Sequence, residues 1–306
     1  MSIRTSRSRY LRAAIVPLFC FASVLSVIAQ SDDDIITVDS SIVVMNASVT
    51  DAKGKAALGL DRKLFHVFED GVEQQISTFD AEETPFAAVI LIDTSGSMEE
   101  RVSLARAAAM VFLDGLQADD VVAVYNFDSK VEMVQDFSNS RDIRDQAYDL
   151  KARGTTVLND AIYKAAEILS KRTEKRRAII VLSDGADTAS GKSADKALKA
   201  ALAVNATLYT VDMSAPEDQS AGKRQNQGVL RNFAEKTGGQ FIETPGGRAL
   251  RDAFGRIVQE MNVLYTLTYQ PTNSKQDGKW RELRMDISKP GLTIRTRKGY
   301  NGPKSK

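Results

Sequence analysis

In the stretch VILIDTSGSM, residues 89–98, an apolar run ends abruptly at a carboxylate. Asp93 is followed at alternate positions by the hydroxyls of Ser95 and Ser97, with Gly96 between them. Alternate residues of an extended chain point to one side, and glycine lets the backbone curl tightly. The stretch therefore predicts a buried strand that delivers three oxygen-bearing side chains to one turn.

The segments around this turn alternate between strands and helices. The apolar run 86–92 is typical of a strand buried on both faces of a parallel sheet, and apolar residues at helical spacing follow it at 98–116. Further strands are predicted at 120–127, 131–137, 178–182, 207–211 and 240–242, and further helices at 140–152, 158–171, 193–204, 228–237 and 247–262. This alternation predicts an α/β fold with a doubly wound, mostly parallel, Rossmann-like sheet and helices on both faces.

Strand-like segments flank this α/β region on both sides. The N-terminal flank contains Asp70-Gly71, a favoured hairpin turn, and three further strand-like runs lie within 263–300. Because a two- or three-stranded piece is marginal alone, we expect the two flanks to pack together as one small β-sandwich. The predicted organisation is a leader at 1–29, a β segment at 30–84, an α/β domain at 85–262 and a β segment at 263–306.

The first 29 residues predict export. Four arginines precede the apolar run 13–28, and Val27 and Ala29 supply small residues at the −3 and −1 positions of a signal-peptidase site. The run is shorter than the ~20 residues of a membrane span. We therefore expect a cleaved leader and a periplasmic or extracellular protein. The alternative is an uncleaved leader that anchors the protein to the membrane.

Charge and residue usage exclude several classes of function. Without the leader's four arginines, 37 of the 41 basic residues remain against 40 acidic residues, which gives a net charge of −3. This charge does not indicate a nucleic-acid-binding protein. Cys20, the single cysteine, lies in the leader, so the mature chain has no thiol for zinc sites, disulfides or nucleophilic catalysis. Because His66 is the single histidine, Ser-His-Asp and Cys-His catalysis are excluded as well.

Two more loops at the same predicted edge of the sheet carry oxygen ligands. Asp184 follows the strand at 178–182, and Thr155 and Thr156 precede the helix predicted from residue 158. Ligands of a doubly wound sheet bind at the carboxyl ends of the strands, so these loops would meet the Asp93 turn. Carboxylates and hydroxyls are hard donors that suit Mg²⁺, Mn²⁺ or Ca²⁺. Two carboxylates only balance a divalent charge, and the open coordination position would attract a carboxylate from outside.

Other residues have simpler interpretations. Ser97 also fits a capping box with Glu100 at the start of the first helix, a role that is compatible with metal binding. Surface turn positions suit Asn126 and Asp128 better than a functional role does. Asp187 fits a turn residue or a residue that supports the metal ligands from behind. The basic stretch KRTEKRR at 171–177 is typical of a solvated helix end and loop.

The turn Asp93-Thr-Ser-Gly-Ser97 resembles the DxSxS motif of the von Willebrand factor type A (VWA) domain. The metal-ion-dependent adhesion site (MIDAS) of that family adds a threonine and an aspartate from two later loops. Asp184 in VLSDGADT matches the aspartate and Thr156 in GTTVLNDAI matches the threonine, although Thr155 stands where a second glycine is usual. The resemblance covers residues 86–262, and the flanks are similar to secreted bacterial VWFA-related proteins.

The resemblance implies a non-enzymatic adhesion or scaffolding protein. In the family's pattern Ser95, Ser97 and Thr156 would bind the cation directly. Asp93 and Asp184 would act partly through water, and an Asp or Glu of a partner protein would complete the shell. Two alternatives stay open: a purely structural metal in the same fold, or a Mg²⁺-dependent hydrolase, which would want an aspartate where Ser95 stands.

Overall fold

The computed structural model describes residues 42–81, 84–141, 154–243 and 247–305. The leader expected at 1–29 and most of the helix expected at 140–152 lie outside these residues. The strands are β1 Val43–Asp51, β2 Phe65–Glu69, β3 Val72–Gln74, β4 Ile76–Asp80, β5 Phe86–Asp93, β6 Val121–Phe127, β7 Val131–Ser138, β8 Arg176–Ser183, β9 Ala206–Asp212, β10 Phe241–Glu243, β11 Tyr265–Tyr269, β12 Trp280–Ile287, β13 Leu292–Thr296 and β14 Gly299–Asn301. The helices are α1 Val102–Asp114, α2 Leu158–Leu169, α3 Ala194–Ala203, α4 Ala221–Thr237 and α5 Gly247–Asn262.

A six-stranded sheet in the order β10-β9-β8-β5-β6-β7 forms the centre of the α/β domain. Its first five strands in that order are parallel neighbours, and β7 joins β6 antiparallel at the edge. The sheet is therefore mixed. Because the chain runs from β5 outward to β7 and then returns to β8 on the other side of β5, the strand order reverses around β5.

Helices cover both faces of this sheet because both faces of β5 are apolar. Phe86, Ala88, Ile90 and Ile92 belong to a core that includes buried residues of α1 and α5. The alternate residues Ala87, Val89 and Leu91 belong to a second core with α2, α3 and α4. A strand buried on both faces has no polar side, which explains its continuous apolar sequence.

Two helices begin at positions that differ from the sequence-based expectation. Helix α1 begins at Val102 and not at 98, because a 3-10 turn at Gly96–Met98 comes first. Helix α4 begins at Ala221, one to two turns before the expected residue 228, where the hydroxyl of Ser220 accepts the Lys223 N–H. The first turns of α4 are largely exposed and polar, so apolar periodicity gives no signal there.

The strands that flank the α/β domain combine into two four-stranded antiparallel sheets, β13-β1-β11-β4 and β14-β12-β2-β3. We call these two sheets the β module. Each sheet takes strands from both sides of the α/β domain. One apolar cluster includes Met45 and Leu267 of the first sheet and Val67 and Met285 of the second. Neither flank closes a core by itself, since the buried side chains come from both.

The hairpin at Asp70-Gly71 forms as predicted, with Glu69 opposite Val72. Both turn residues have positive φ, 49° and 81°, as a two-residue hairpin turn requires. The strand that follows is shorter than its sequence indicates. It ends at Gln74, and from Ile76 the chain continues as β4 in the other sheet.

Arg176 joins the β module to the α/β domain. It was expected in a solvated loop, but it is the first residue of β8 and is 1% exposed. Its guanidinium donates to the carbonyls of Leu264 at 2.5 Å and Asn262 at 3.2 Å, and to the hydroxyl of Thr266 at 3.2 Å. The expectation was wrong because a guanidinium with five donors can replace water by satisfying carbonyls at the end of α5.

A second contact lies at the end of α4. Gly238 has φ 81°, and a Cβ there would lie 2.5 Å from the backbone of Thr296 and Arg297. Arg295 donates to the Gly238 carbonyl at 3.0 Å. These contacts, like those of Arg176, lie at the amino-terminal ends of the parallel strands, opposite their carboxyl ends. Among the described helices, none combines the length and the apolar character needed to cross a membrane.

Replacing Arg176 by Met should destabilise the whole protein. Several buried carbonyls would lose their donor, so we expect the free energy of unfolding to fall by about 3 kcal/mol. Arg176→Lys should lower the free energy of unfolding by a smaller amount, since an ammonium group keeps the charge but lacks the planar array of N–H donors of a guanidinium. Urea denaturation measures both.

The control is Arg248→Ala, because the Arg248 side chain is 88% exposed. It should change the free energy of unfolding by less than about 0.5 kcal/mol. A loss below about 1 kcal/mol for Arg176→Met would contradict the role assigned to this guanidinium.

Candidate metal site

Asp93 lies at the carboxyl end of β5, the strand around which the sheet order reverses. Its neighbours in the sheet are Phe127 at the end of β6 and, by continuation of the β5–β8 register, Ser183 at the end of β8. The residue is 0% exposed. In doubly wound sheets this position is where ligands bind, because the loops on either side diverge to opposite faces.

Both oxygens of the Asp93 carboxylate accept hydrogen bonds. The Ser95 N–H donates to Oδ1 at 2.9 Å, and the Ser183 hydroxyl donates to Oδ2 at 2.5 Å. Burial raises the pKa of the Asp93 carboxyl from 3.8 to about 6; these hydrogen bonds lower it, and the negative charge of Asp184 raises it. The carboxylate is therefore held in place, and among the described residues no ion pair with a cationic side chain compensates its charge.

The two serines of the turn lie side by side. Ser95 is 1% exposed, Ser97 is exposed, and their hydroxyl oxygens are 3.1 Å apart. Met98, which is fully buried, anchors the 3-10 turn beneath them. The capping box suggested for Ser97 does not form, because α1 begins at Val102 and its N-terminus has no side-chain cap. The Ser97 hydroxyl thus faces its neighbour Ser95 and solvent.

Thr156 and Asp184 lie on two loops that adjoin this turn. The Gly96 N–H contacts the Gly154 carbonyl at 3.4 Å, which places the Thr156 segment beside the serines. Thr156 is 3% exposed, whereas Thr155 is exposed. Asp184 directly follows Ser183 and is half-buried, and its Oδ1 accepts the Ala186 N–H at 3.0 Å.

The structure thus brings the three expected loops to one edge of the sheet. The side chains expected to bind metal on these loops are carboxylates and hydroxyls, which are hard ligands. In the described ranges, no three His, Cys, Asp or Glu side chains cluster as a metal site. A cation at this edge would therefore draw on serine and threonine oxygens, and the donor set fits Mg²⁺, Mn²⁺ or Ca²⁺.

Asn126 and Asp128 are not the surface-turn residues that their sequence suggests. They are 7% and 5% exposed. The Asn126 amide donates to the Thr94 hydroxyl at 3.3 Å, and the Thr94 N–H donates to the Phe127 carbonyl at 2.8 Å. For Asn126 the interpretation was wrong because the Asp93 turn covers the end of β6 and bonds to the amide. Asp128 does lie in a turn, where its Oδ1 accepts the Ser129 hydroxyl at 3.0 Å and the Lys130 N–H at 3.2 Å, but this turn is buried and not at the surface.

Sequence reasoning missed Ser183, although it bonds directly to Asp93. A serine at the end of an apolar strand is unremarkable on its own. Its role depends on β8 lying beside β5 in a register that puts Ser183 level with Asp93, so that both side chains point to one side. A register between strands separated by about 90 residues leaves no local signal in the chain.

Comparison with known proteins finds a family match for the region that carries this site. Residues 88–186 match the family model of the von Willebrand factor type A domain. An uncharacterized protein of Synechocystis sp. is 27% identical over 184 residues, which cover 58% of this chain and 42% of that protein. The chain thus spans less than half the length of this relative.

Solved structures show a more distant likeness. The von Willebrand factor type A protein from Catenulispora acidiphila has a TM-score of 0.49 at 14% identity, over 88% of this chain and 76% of that one. The vWF domain of the type V pili tip protein Mfa5 from Porphyromonas gingivalis has a TM-score of 0.48 at 15% identity, over 60% and 97%. At these scores the likeness adds nothing to the family match.

The raised pKa of Asp93 predicts how stability depends on pH when no metal is present. The folded state holds this proton more tightly than the unfolded state, so the stability it contributes is complete below pH 3.8 and is lost as pH rises through about 6. The gap corresponds to about 3 kcal/mol. In EDTA, Asp93→Asn should therefore gain stability relative to wild type as pH rises from 4 to 7.

Urea denaturation at several pH values measures this difference. Asp195→Asn is the control, because Asp195 is a 67% exposed carboxylate on α3. Its difference from wild type should vary by less than about 1 kcal/mol over the same range. A pH-independent difference between Asp93→Asn and wild type would contradict the raised pKa of the buried carboxylate.

Proposed function

We propose that this protein is exported and that its VWA domain binds a partner protein through a divalent metal ion, which an Asp or Glu of the partner completes. One observation carries the proposal. A buried carboxylate at the reversal point of the sheet adjoins hydroxyls and a second carboxylate from three loops that are far apart in sequence. The proposed role is adhesion or scaffolding, without catalysis.

The hydroxyls of Ser95, Ser97 and Thr156 would bind the cation directly. Asp93 and Asp184 would act partly through water. The contacts of Asp93 support this division, because both of its oxygens already accept hydrogen bonds, from Ser95 and from Ser183. When bound, the ion supplies a compact positive charge that neutralises these carboxylates and attracts another.

The charge balance supports a partner that presents a carboxylate. Asp93 and Asp184 together offset a divalent charge but do not exceed it. Neutral hydroxyls add no charge, so the ion would keep its attraction for an external anion. Mg²⁺ also takes six oxygens and usually keeps some positions for water or for a ligand from outside.

The position of the site supports access by a macromolecule. Ser97 is exposed and Asp184 is half-buried at the carboxyl ends of the strands. Arg176, which joins the domain to the β module, is at the opposite end of β8 from Ser183. The β module can therefore hold the domain without covering the loops that would meet a partner.

Two alternatives use the same atoms. A structural metal would lock the loops without reaching a partner, and binding experiments separate it from the proposal. A hydrolase of the aspartyl-phosphate kind would need an acid or base two residues after Asp93, where the chain has Ser95. The serine hydroxyl is a poor proton donor at neutral pH, which favours a binding role over this chemistry.

Calorimetric titration with Mg²⁺ tests the metal site. Wild type should bind one ion, and Asp93→Ala and Asp184→Ala should each lose binding, because either change removes half of the balancing negative charge. Asp195→Ala, an exposed carboxylate on α3, is the matched control and should bind like wild type. Equal binding by Asp93→Ala and wild type would overturn the proposed site.

Capture from the cell envelope tests the partner and export together. Immobilised wild type should retain a protein in Mg²⁺ and release it in EDTA, whereas Asp184→Ala should retain none. Native protein recovered from the envelope should begin at Gln30, after cleavage behind Ala29. Metal binding without any Mg²⁺-dependent capture would favour the structural alternative, and an intact leader on the recovered protein would contradict the cleaved signal.

A further inference from the structure

The carboxylate of Asp160, in the first turn of α2, accepts two backbone N–H groups from the loop that follows β8. Gly191 donates to Oδ2 at 2.9 Å, and Lys192 donates to Oδ1 at 2.7 Å. Each oxygen thus accepts from its own donor, and both donors lie on a chain segment outside α2. A carboxylate that only favoured the positive end of a helix dipole would have no need for these two partners.

Asp187 makes the reciprocal contact from the loop to the helix. Its Oδ2 accepts the Asn159 N–H at 2.8 Å, and its Oδ1 accepts the Ser190 N–H at 3.1 Å. The Ser190 hydroxyl in turn accepts the Asp160 N–H at 3.1 Å. The start of α2 and the 184–192 loop therefore use each other's side chains to satisfy backbone groups that a helix N-terminus leaves unpaired.

The backbone of Thr156 is held by the same loop. Its N–H donates to the Thr188 hydroxyl at 2.9 Å, and its carbonyl accepts the N–H groups of Thr188 at 2.9 Å and Ala189 at 3.0 Å. Together with the bonds of Asp160 and Asp187, these contacts tie the segment that carries Thr156 to the loop that begins with Asp184. Two contacts join this pair of segments to the Asp93 turn: the Gly96 N–H donates to the Gly154 carbonyl at 3.4 Å, and the hydroxyl of Ser183, next to Asp184, donates to the Asp93 carboxylate at 2.5 Å.

We propose that Asp160 is a positioning residue for the metal site: it fastens the Asp184 loop to the Thr156 segment, so that these two ligands form one preassembled unit before any metal binds. This inference rests on the proposed function. It adds that Asp184 and Thr156 are held to each other by bonds of their own, in addition to the contacts that hold them beside the Asp93 turn.

The test compares Asp160→Asn and Asp160→Ala with wild type. Asparagine has one acceptor oxygen and cannot replace both bonds, so it should weaken Mg²⁺ binding at least tenfold, as loss of an outer-shell partner typically does. Alanine should weaken it further. Asp195→Ala is the matched control, because Asp195 also lies in the first turn of a helix but pairs with Lys199 of the same helix.

A second readout uses the metal-free protein. Losing the two bonds should raise amide hydrogen exchange at Gly191 and Lys192 and should speed tryptic cleavage after Lys192, while exchange in the middle of α2 stays unchanged. Exchange that rises along the whole of α2 would indicate a merely helix-stabilising role and would overturn the inference. So would wild-type Mg²⁺ affinity in Asp160→Asn together with a loosened loop.

The two readouts separate the inference from the proposed function. If wild type bound no Mg²⁺, the proposed function would fall and with it the positioning role, although increased local exchange would still establish the fastening of the two segments. If wild type bound Mg²⁺ and the Asp160 variants bound it equally well, the metal site would stand and the positioning role alone would fall.

Discussion

The burial of one carboxylate at the end of a central strand is the constraint on which the rest of this structure depends. Asp93 is removed from water by β5, its neighbours and the turn above it, and burial raises its pKa to about 6. A carboxylate in such a place is unfavourable unless something offsets its charge. The hydrogen bonds from Ser95 and Ser183 offset part of it, and a cation held by the adjoining hydroxyls would offset the remainder. The local cost of burying Asp93 is therefore the reason we expect this edge to favour a positive ion.

The contacts that anchor the α/β domain to the β module and the loops that form this edge lie at opposite ends of the parallel strands. At one end of the parallel strands Arg176 satisfies carbonyls around the end of α5, and Gly238 allows the backbone of the β module to approach α4. At the other end the loops carry the proposed oxygen ligands. Because the anchoring contacts involve the amino-terminal end of β8, they leave the carboxyl ends of the strands free. The α/β domain, which is inserted between the two halves of the β module, thus keeps the edge with these loops away from its anchoring contacts.

Much of this arrangement could be read from the sequence, because the informative signals are local. Apolar runs that stop at Asp93 and Asp184 indicate buried strands with polar ends, and helical periodicity locates α2, α3 and α5 closely. The Asp70-Gly71 turn likewise needs only its own two residues. Local signals of this kind survive without knowledge of the tertiary structure.

The features that the sequence did not reveal depend on contacts between distant segments. Ser183 matters because β8 lies beside β5, and Arg176 is buried because the β module covers it. Asn126 bonds to a turn more than 30 residues earlier. Asp160 looks like an ordinary first-turn acid until the 184–192 loop supplies its donors. In each case the residue type is common and its meaning comes from its partner.

A crystal structure of the protein grown with Mn²⁺, with anomalous diffraction used to locate the ion, tests the central claim most directly. We expect one strong anomalous peak at the carboxyl end of β5, in contact with the hydroxyl oxygens of Ser95, Ser97 and Thr156. A protein that showed no peak at saturating Mn²⁺, or a peak that touched none of these hydroxyls, would contradict it.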